Sequence, residues 1–355
     1  MGAASRMSHC DRLTFLLLVS SALLGIISPS AALGIDDIAA GACPGSGPTD
    51  ARLRCLTTAY APLLKFDSRE TFFPSGVDDF LPYMKLINED GSDISNQPQP
   101  LTSSNLVYKS ETPLTTYLTT IKPIKLLQED QIDDRFMRGR KPTAQSPVPI
   151  YTSVVRKQAG VYYDFVYYAF YPYNQGKLVG VQRFGNHVGD WEHVTLRISF
   201  KNSMNPRLVQ AYSSQHSGGD CLTPSNLTFV ADTAHPILYV ARGSHGTYNK
   251  PGRTVYAKLL PTETGIDGTE LADDHDGGST VKWETWNAVA VRVEGQPLAG
   301  DYTFWGYNGR WGNKEGQRMV LGFHVLESGP DYPASHTVQF QLDNTAFEDC
   351  VPSDS

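Results

Sequence analysis

The sequence predicts a mainly β fold: a single β-sandwich-like domain with irregular loops and a few short flanking helices. Two observations lead to this expectation. Most apolar runs are short, rich in Val, Tyr and Phe, and separated by Gly, Pro and Asn, which is the pattern of strands and turns. Long helical periodicity is scarce, and no internal repeat or low-complexity tract divides the chain. A sandwich of this length is acceptable as one domain.

The expected elements follow in chain order. Residues 53–64 predict a short helix, and 118–137 show scattered helical spacing whose start is limited by Pro123. The remaining elements are expected to be strands, over 161–170, 191–198, 208–214, 237–241, 288–293, 319–325 and 338–342. The run 161–170 is apolar on both faces except at Asp164, which predicts a central strand covered on both sides.

Residues 1–32 have the pattern of a secretory signal peptide. Arg6 and Arg12 give a positive start, 13–27 is apolar, and Ser30-Ala31-Ala32 supplies small residues for cleavage. The apolar stretch is shorter than the roughly 20 residues that a membrane helix needs, and no other stretch approaches that length. We therefore expect cleavage after Ala32, one domain over 33–355, no membrane span, and a location in the secretory pathway or outside the cell.

The cysteines and a sequon fit the same compartment. Four of the five cysteines remain after the signal peptide, and an even number in an oxidising compartment predicts two disulfides. The sequence leaves all pairings open; we favour Cys43–Cys55, a short loop, with Cys221–Cys350 tying the C-terminal tail to the middle. Asn226-Leu227-Thr228 is an N-glycosylation sequon, so an N-glycan is expected at Asn226.

The net charge limits the classes of binding partner that we expect. The chain carries a formal charge of −7, which argues against nucleic acid or an anionic membrane surface. A small molecule or a glycan is the expected class of ligand.

The most informative stretch is 185–193, Gly-Asn-His-Val-Gly-Asp-Trp-Glu-His, which runs into a strand. Side chains alternate between faces in a strand, so Val194 and Ile198 share an apolar, inward face. The same parity places Asp190 and Glu192 on that face. Because buried unpaired charge is costly, both carboxylates are expected to meet specific donors or to lie in a solvated mouth at the strand end.

Other polar segments border predicted strands, at 171–176, 213–219, 242–248 and 271–276. If these strand ends converge in the fold, their side chains form a pocket. The roles of the individual residues in it are not assigned. Its candidate residues are His187, Asp190, Glu192, His216, Arg242 and His245. Imidazole with carboxylate is a ligand set for a divalent metal, for which His187, Asp190 and His245 are the candidates, and it equally supports proton transfer. The alternative is a purely structural network in which backbone amides or Arg242 hold the carboxylates and keep loops shut.

Five blocks, in order along nearly the whole chain, resemble the vacuolar protein sorting-associated protein 62 family. They are Ala61-Pro62-Leu63 with Phe66, Glu70 and 73–81; 189–194; 214–218; 239–248; and 309–312. Each block alone is a weak signal, but five in order are specific. The resemblance implies a link to delivery of cytoplasmic protein to the vacuole. The family also includes secreted fungal members, and it supplies no agreed catalytic residues.

Three hypotheses follow. The first is a secretory-pathway, vacuolar-lumen or extracellular protein of this family, with the pocket binding an unassigned ligand. The second is an enzyme, either a metal-assisted hydrolase or an acid–base catalyst or cyclase acting on a small fungal secondary metabolite. In that case Arg242 would stabilise developing negative charge. The third is an extracellular lectin-like or toxin-like module that binds through Trp and Tyr residues.

Overall fold

Strands form most of the regular structure, as the sequence predicts. The computed structural model describes residues 34–124, 135–179, 182–216, 218–258, 270–298, 300–316, 319–320, 323–324 and 326–333, all of which belong to one compact unit, Gly34–Ser355. The predicted cleavage point after Ala32, the strand at 338–342 and Cys350 lie outside the described residues, so these stay predictions.

Helices are few and short. The α-helices are α1 (Ile35–Ala42), α2 (Asp50–Ala59) and α3 (Val77–Phe80), and the 3-10 segments are Leu81–Tyr83, Arg135–Arg138, Gln158–Gly160, Pro224–Asn226, Thr285–Ala288 and Gly300–Gly306. The strands are β1 (Leu63–Phe66), β2 (Met84–Asn88), β3 (Thr116–Thr120), β4 (Ile150–Lys157), β5 (Tyr162–Asn174), β6 (Lys177–Val179), β7 (Gln182–Phe184), β8 (His187–Ser199), β9 (Arg207–Gln215), β10 (Gly218–Leu222), β11 (Thr228–Phe229), β12 (Pro236–Val240), β13 (Thr247–Tyr248), β14 (Gly252–Lys258), β15 (Glu270–His275), β16 (Lys282–Glu284), β17 (Val289–Val293), β18 (Met319–Val320) and β19 (Phe323–His324).

A six-stranded sheet in the order β10-β9-β8-β5-β4-β17 is the centre of the fold. Its two longest strands, β5 and β8, pair antiparallel from Tyr162 opposite Ser199 to Asn174 opposite His187. The prediction of a central strand covered on both sides is confirmed, since β5 is buried along almost its whole length. The only parallel pairing in this described sheet joins its edge strand β17 to β4.

Each face of the central sheet carries its own apolar core. On the first face, Phe165 and Leu196 pack with Leu64, Leu238 and other residues of a second sheet in the order β11-β12-β1-β16, to which β13 is joined through β12. Helices α1 and α2 close the same core. On the second face, Phe170 and Trp191 pack against the β2–β3 hairpin and an aromatic group from 304–311. Two layers therefore cover the sheet, as expected of a sandwich-like domain.

The predicted helix over 53–64 is correct only in its first part. The helix α2 ends at Ala59, and β1 begins at Leu63, where it pairs with β12 and β16. Pro62 explains the break, because a proline disfavours helical backbone at the residue before it. A single disulfide joins the two helical segments: Cys43 bonds Cys55, which confirms that predicted pairing. Cys221 is also disulfide-bonded, but its predicted partner Cys350 is not among the described residues.

The helical spacing over 118–137 does not correspond to an α-helix at either described end of this range. Its start lies in β3, whose β-branched residues pair with β2, and its end is the short 3-10 segment Arg135–Arg138. The predicted strand at 319–325 contains the two short strands β18 and β19, paired antiparallel. Within the described part of the chain, no helix is long and apolar enough to cross a bilayer.

Gly189 interrupts the alternation of β8 and so positions the site. Its φ is +70°, and a Cβ there would lie 1.8 Å from the carbonyl oxygen of Trp311, which no side chain could tolerate. Val188, before this glycine, belongs to the second-face core. From Asp190 onward, even-numbered residues such as Val194 and Leu196 belong to the first face. Asp190 and Glu192 are therefore placed on the first face, as predicted, and both are buried.

Candidate functional site

The site is centred on a hydrogen bond between Asp190 and His245. Nδ1 of His245 lies 2.8 Å from Oδ2 of Asp190, and the imidazole is completely buried. An ionised carboxylate can only accept a hydrogen bond, so Nδ1 carries the proton. In the neutral ring, Nε2 then presents a lone pair. Among the described residues, nothing hydrogen-bonds to this Nε2.

Backbone and ring contacts hold His245 in place. The ring stacks on Tyr171 with centroids 3.8 Å apart and an angle of 2°, and Tyr171 faces Asp190 across the β5–β8 pair. His245 itself has a φ of +62°, a left-handed conformation that is uncommon for a residue with a side chain and that clusters at functional sites. Burial raises the pKa of Tyr171, and the charges of Asp190 and Glu192 raise it further, so its phenol stays protonated.

Glu192 lies two residues along the strand and is also buried. Ser214 of β9 donates to its Oε2 and accepts from the backbone amide of His193 at 2.8 Å. Burial raises the pKa of Glu192 well above its ordinary value, and the charge of Asp190 adds to the effect, while the hydrogen bond from Ser214 opposes it. The cluster therefore pairs one carboxylate engaged with an imidazole and a second that retains its proton more readily.

Asp273, in β15, is the second centre of polar contacts. Its carboxylate is fully buried and accepts hydrogen bonds from four side chains. The donors are Ser244 at 2.5 Å, Tyr248 at 2.7 Å, Lys177 at 2.8 Å and His216 at 2.9 Å. Burial alone would raise the pKa of Asp273, but the hydrogen bond from His216 and the charge of Lys177 outweigh it and hold the pKa below the usual range. Asp273 is thus a fixed anion that anchors four segments of the chain.

The turn 242–245 links the two centres. Arg242 donates its amide to the carbonyl of Asp274 at 2.8 Å, Gly243 donates to Oε2 of Glu70 at 2.8 Å, and Ser244 reaches Asp273. His245 then completes the turn at Asp190. Glu70, which also accepts from the amides of Thr71 and Phe72, therefore fixes the turn from a loop far away in sequence.

The predicted pocket residues do not all meet. Asp190, Glu192 and His245 lie in the first centre, and His216 lies at the second, where it is partly exposed and packs on Tyr256. His187 instead directs Nδ1 to the carbonyl of Gly189 at 2.6 Å. Arg242 does not bond to these carboxylates: its guanidinium makes no hydrogen bond or ion pair within the described ranges, and it lines a separate cavity. The role of Arg242 in stabilising developing negative charge stays a prediction.

The suggested metal ligands do not form a common set here. Asp190 and His245 bond to each other, and His187 to a backbone carbonyl. Over the residues that the structure describes, no group of three or more His, Cys, Asp or Glu side chains is arranged to hold a metal ion. The metal site stays a prediction.

Asp273, Ser214 and Tyr171 are among the participants that were not singled out from the sequence. Each lies in one of the polar segments that follow or precede predicted strands, so its neighbourhood was foreseen. Tyr171 could have been found by extending the parity of β5 to the register opposite Asp190. Asp273 could not, because only the tertiary fold shows which of Asp273, Asp274 and Asp276 faces inward.

The tryptophans have a structural place. Trp283, Trp305 and Trp311 are at most 6% exposed, and Trp286 stacks on His235 with ring centroids 4.0 Å apart. The three buried indoles therefore do not form an exposed platform for a sugar.

Comparison with known proteins gives the family. The family model described as vacuolar protein sorting-associated protein 62 matches residues 43–268. The chain belongs to this family. It is 26% identical over 216 residues to vacuolar protein sorting-associated protein 62 of Saccharomyces cerevisiae, covering 54% of this chain and 44% of that protein. It is 25% identical over 233 residues to the putative vacuolar protein sorting-associated protein TDA6 of the same species, with 55% and 46% covered. The chain thus spans a little under half the length of these relatives.

Solved structures show only a distant likeness. The non-toxic HaNLP3 protein is 12% identical, with a TM-score of 0.31 and coverage of 72% of this chain and 82% of that chain. NLPPya in complex with glucosamine is 13% identical, with a TM-score of 0.29 and coverage of 58% and 71%.

Proposed function

We propose that this family member acts in the secretory pathway, the vacuolar lumen or outside the cell, in a process linked to protein delivery to the vacuole, and that the Asp190–His245 cluster is its functional centre. Family membership supports the process, and the signal-peptide pattern and the Cys43–Cys55 disulfide support the compartment. One observation carries the choice of centre: Nε2 of the fully buried His245 has no partner among the described residues.

The unpaired nitrogen of His245 is unusual in its surroundings rather than in number, since core residues such as Trp191 and Trp311 also have a nitrogen without a partner among the described residues. Buried polar groups in folded proteins nearly always find partners, and each exception asks for an explanation. The cost of leaving an imidazole nitrogen unpaired is about 1–3 kcal/mol. The chain accepts that cost beside a second unpaired atom, the hydroxyl of Tyr171, and at a residue whose own backbone is left-handed. A ligand or a reacting group that engages Nε2 would account for all three features.

The experiment replaces the chain's own gene with variants and follows delivery of a reporter protein to the vacuole. Deletion and His245→Asn are expected to slow delivery to the same extent, because both remove the ring nitrogen. His235→Gln is the matched control, since His235 also stacks on an aromatic ring and bonds a backbone carbonyl, that of Ala61. Normal delivery in the deletion strain would refute the vacuolar role. Normal delivery with His245→Asn alone would refute the choice of centre.

The same geometry favours one second candidate, an acid–base enzyme acting on a small metabolite. A carboxylate that fixes one imidazole nitrogen while the other stays available is the arrangement that general bases require. Secreted metabolites of parent and His245→Asn strains would then differ in a substrate that accumulates and a product that disappears. Elemental analysis of the purified protein separates the two versions: stoichiometric zinc, manganese or iron would favour a metal-assisted hydrolase, and a metal-free active protein would favour acid–base catalysis.

A further inference from the structure

A cavity of about 200 Å³ lies beside the Asp273 contacts, and of the 242–245 turn only Arg242 lines it. Its lining includes four cations, Lys177, Arg183, Arg242 and Arg253, and two carboxylates, Glu270 and Asp274. This excess of positive charge is local, because the whole chain has a net charge of −7. A basic cavity in an acidic protein draws small anions rather than polyanions, whose long charged backbones the rest of the surface repels.

The carboxylates near the cavity are already in use. Asp274 accepts Arg253 at 2.8 Å through Oδ1 and Arg69 at 3.2 Å through Oδ2, so one carboxylate serves two guanidinium groups. Lys177 is only 13% exposed and lies 2.8 Å from Asp273, with a second bond to the carbonyl of Arg242 at 2.6 Å. Asp274 with its two guanidinium groups therefore leaves one positive charge beside the cavity, whereas the charge of Lys177 is balanced by Asp273.

Arg242 is the cation with spare capacity. Its backbone is held on both sides, since its amide donates to the carbonyl of Asp274 and its carbonyl accepts from Lys177. Across the described parts of the chain, its guanidinium forms neither a hydrogen bond nor an ion pair. A guanidinium presents a rigid fork of donors that matches two oxygens of a phosphate. The backbone of Arg242 is therefore already fixed, while its guanidinium remains able to bind an anion.

We propose that this cavity binds a phosphate monoester head group, with Arg242 as its principal contact and Lys177 and Arg253 supplying positive charge from the walls. The volume suits a compact anionic group and is below that of pockets for drug-sized ligands, which start at about 300 Å³. The group could be carried by a soluble sugar phosphate or by a lipid head group, which share the same chemistry. This binding does not depend on proton transfer by His245.

Calorimetric titration of the purified full chain tests the proposal with two probes: glucose 6-phosphate, and phosphatidylcholine vesicles with and without a phosphatidylinositol monophosphate. The parent is expected to bind at least one phosphate-bearing probe and not plain vesicles. Arg242→Gln should weaken that binding about tenfold or more, because it removes a charge-assisted bidentate contact. Asp274→Asn should tighten it, because it releases Arg253 and Arg69 from their shared carboxylate.

Arg140→Gln is the control for net charge, since Arg140 pairs with Asp79 at the surface and does not line the cavity. It should bind like the parent, and circular dichroism should show all variants folded. Absence of binding to both probes overturns the proposal. So does binding that Arg242→Gln leaves unchanged, or that Arg140→Gln weakens as much as Arg242→Gln does. If the parent binds only glucose 6-phosphate and Arg242→Gln loses that binding, the ligand is a soluble ester. If the parent binds only the vesicles with the phosphatidylinositol monophosphate and Arg242→Gln loses that binding, the ligand is a lipid.

Discussion

Two buried pairs, each containing an aspartate, lie on the β5–β8 region, near opposite ends and on opposite faces, and they use their polar atoms differently. Arg197 donates Nε and Nη2 to the two oxygens of Asp164 at 2.7 and 2.8 Å. Asp190 and His245 share one hydrogen bond, and Nε2 of the ring has no partner within the described residues. Burial and a bonded aspartate are common to both pairs, so neither feature marks a functional site by itself. Spare hydrogen-bonding capacity distinguishes the second pair.

The largest effect is expected at the Asp164–Arg197 pair. Asp164→Ala should lower the free energy of unfolding by about 3–5 kcal/mol, because it removes the carboxylate that bonds two nitrogens of a buried guanidinium that cannot lose its proton. Urea unfolding followed by tryptophan fluorescence measures this. The double variant Asp164→Leu/Arg197→Met removes both charges and should lie much closer to the parent. A single variant as stable as the parent would show that the pair does not act as a closed unit.

Asp190→Ala should lower the free energy of unfolding by less, about 1–3 kcal/mol. The reason is that the remaining imidazole can stay neutral, so only a hydrogen bond is lost. The same urea measurement places the two pairs on one scale. If Asp190→Ala were as damaging as Asp164→Ala, the cluster around His245 would be a supporting network, and the contrast between the two pairs would fail.

Glu192 offers a test in pH rather than in absolute stability. Its folded-state pKa is raised by burial and by Asp190, so the folded protein keeps a proton that the unfolded chain has lost. This stabilises the fold fully below the ordinary pKa of 4.5, and the contribution is lost as pH rises through the folded-state pKa. As pH rises above the ordinary pKa of 4.5, Glu192→Gln should therefore lose less stability than the parent. Parallel pH profiles for the two proteins would contradict the raised pKa.

The smallest effect on the fold is expected at Asn226, which lies on the exposed 3-10 segment Pro224–Asn226. Asn226→Gln should remove an N-glycan, seen as faster gel migration that glycosidase treatment no longer changes. Stability should fall by no more than about 1 kcal/mol, because the substitution loses at most the exposed hydrogen bonds that Oδ1 of Asn226 accepts from Thr223. Protein from the secretory pathway of a eukaryotic host that migrates identically with and without the substitution would show that the sequon is unused.

Local pattern was enough to predict the strands β5, β8, β9, β12 and β17 and the inward face of Asp190 and Glu192, whereas strands such as β1 and β4 were missed. The alternation of Val194, Leu196 and Ile198 continues through both carboxylates, and the structure buries all five residues. Turn chemistry was harder to use: Pro62 could have ended the helix after Ala59, yet the apolar residues that follow it extended the predicted helix to 64. There the pairing of β1 with β12 decided the conformation, and such pairing cannot be seen in a local window.

The site was predicted only as a set of segments. His245 and Asp190 were expected to meet and do so, while Arg242 turns to the basic cavity and His187 to its own strand. Adjacent residues in the 242–245 turn serve different centres because its glycine and left-handed histidine redirect the backbone. Sequence reasoning placed the turn correctly but could not divide its side chains between two destinations.

Gly189 makes one long strand serve two layers of the protein. Because the carbonyl of Trp311 occupies the space of a β-carbon there, the position is closed to every other amino acid unless the 311 segment is rebuilt. Any relative that keeps this two-layer arrangement should therefore carry glycine at the equivalent position. A relative without that glycine should differ both at the acidic end of the strand and in the segment that carries the tryptophan.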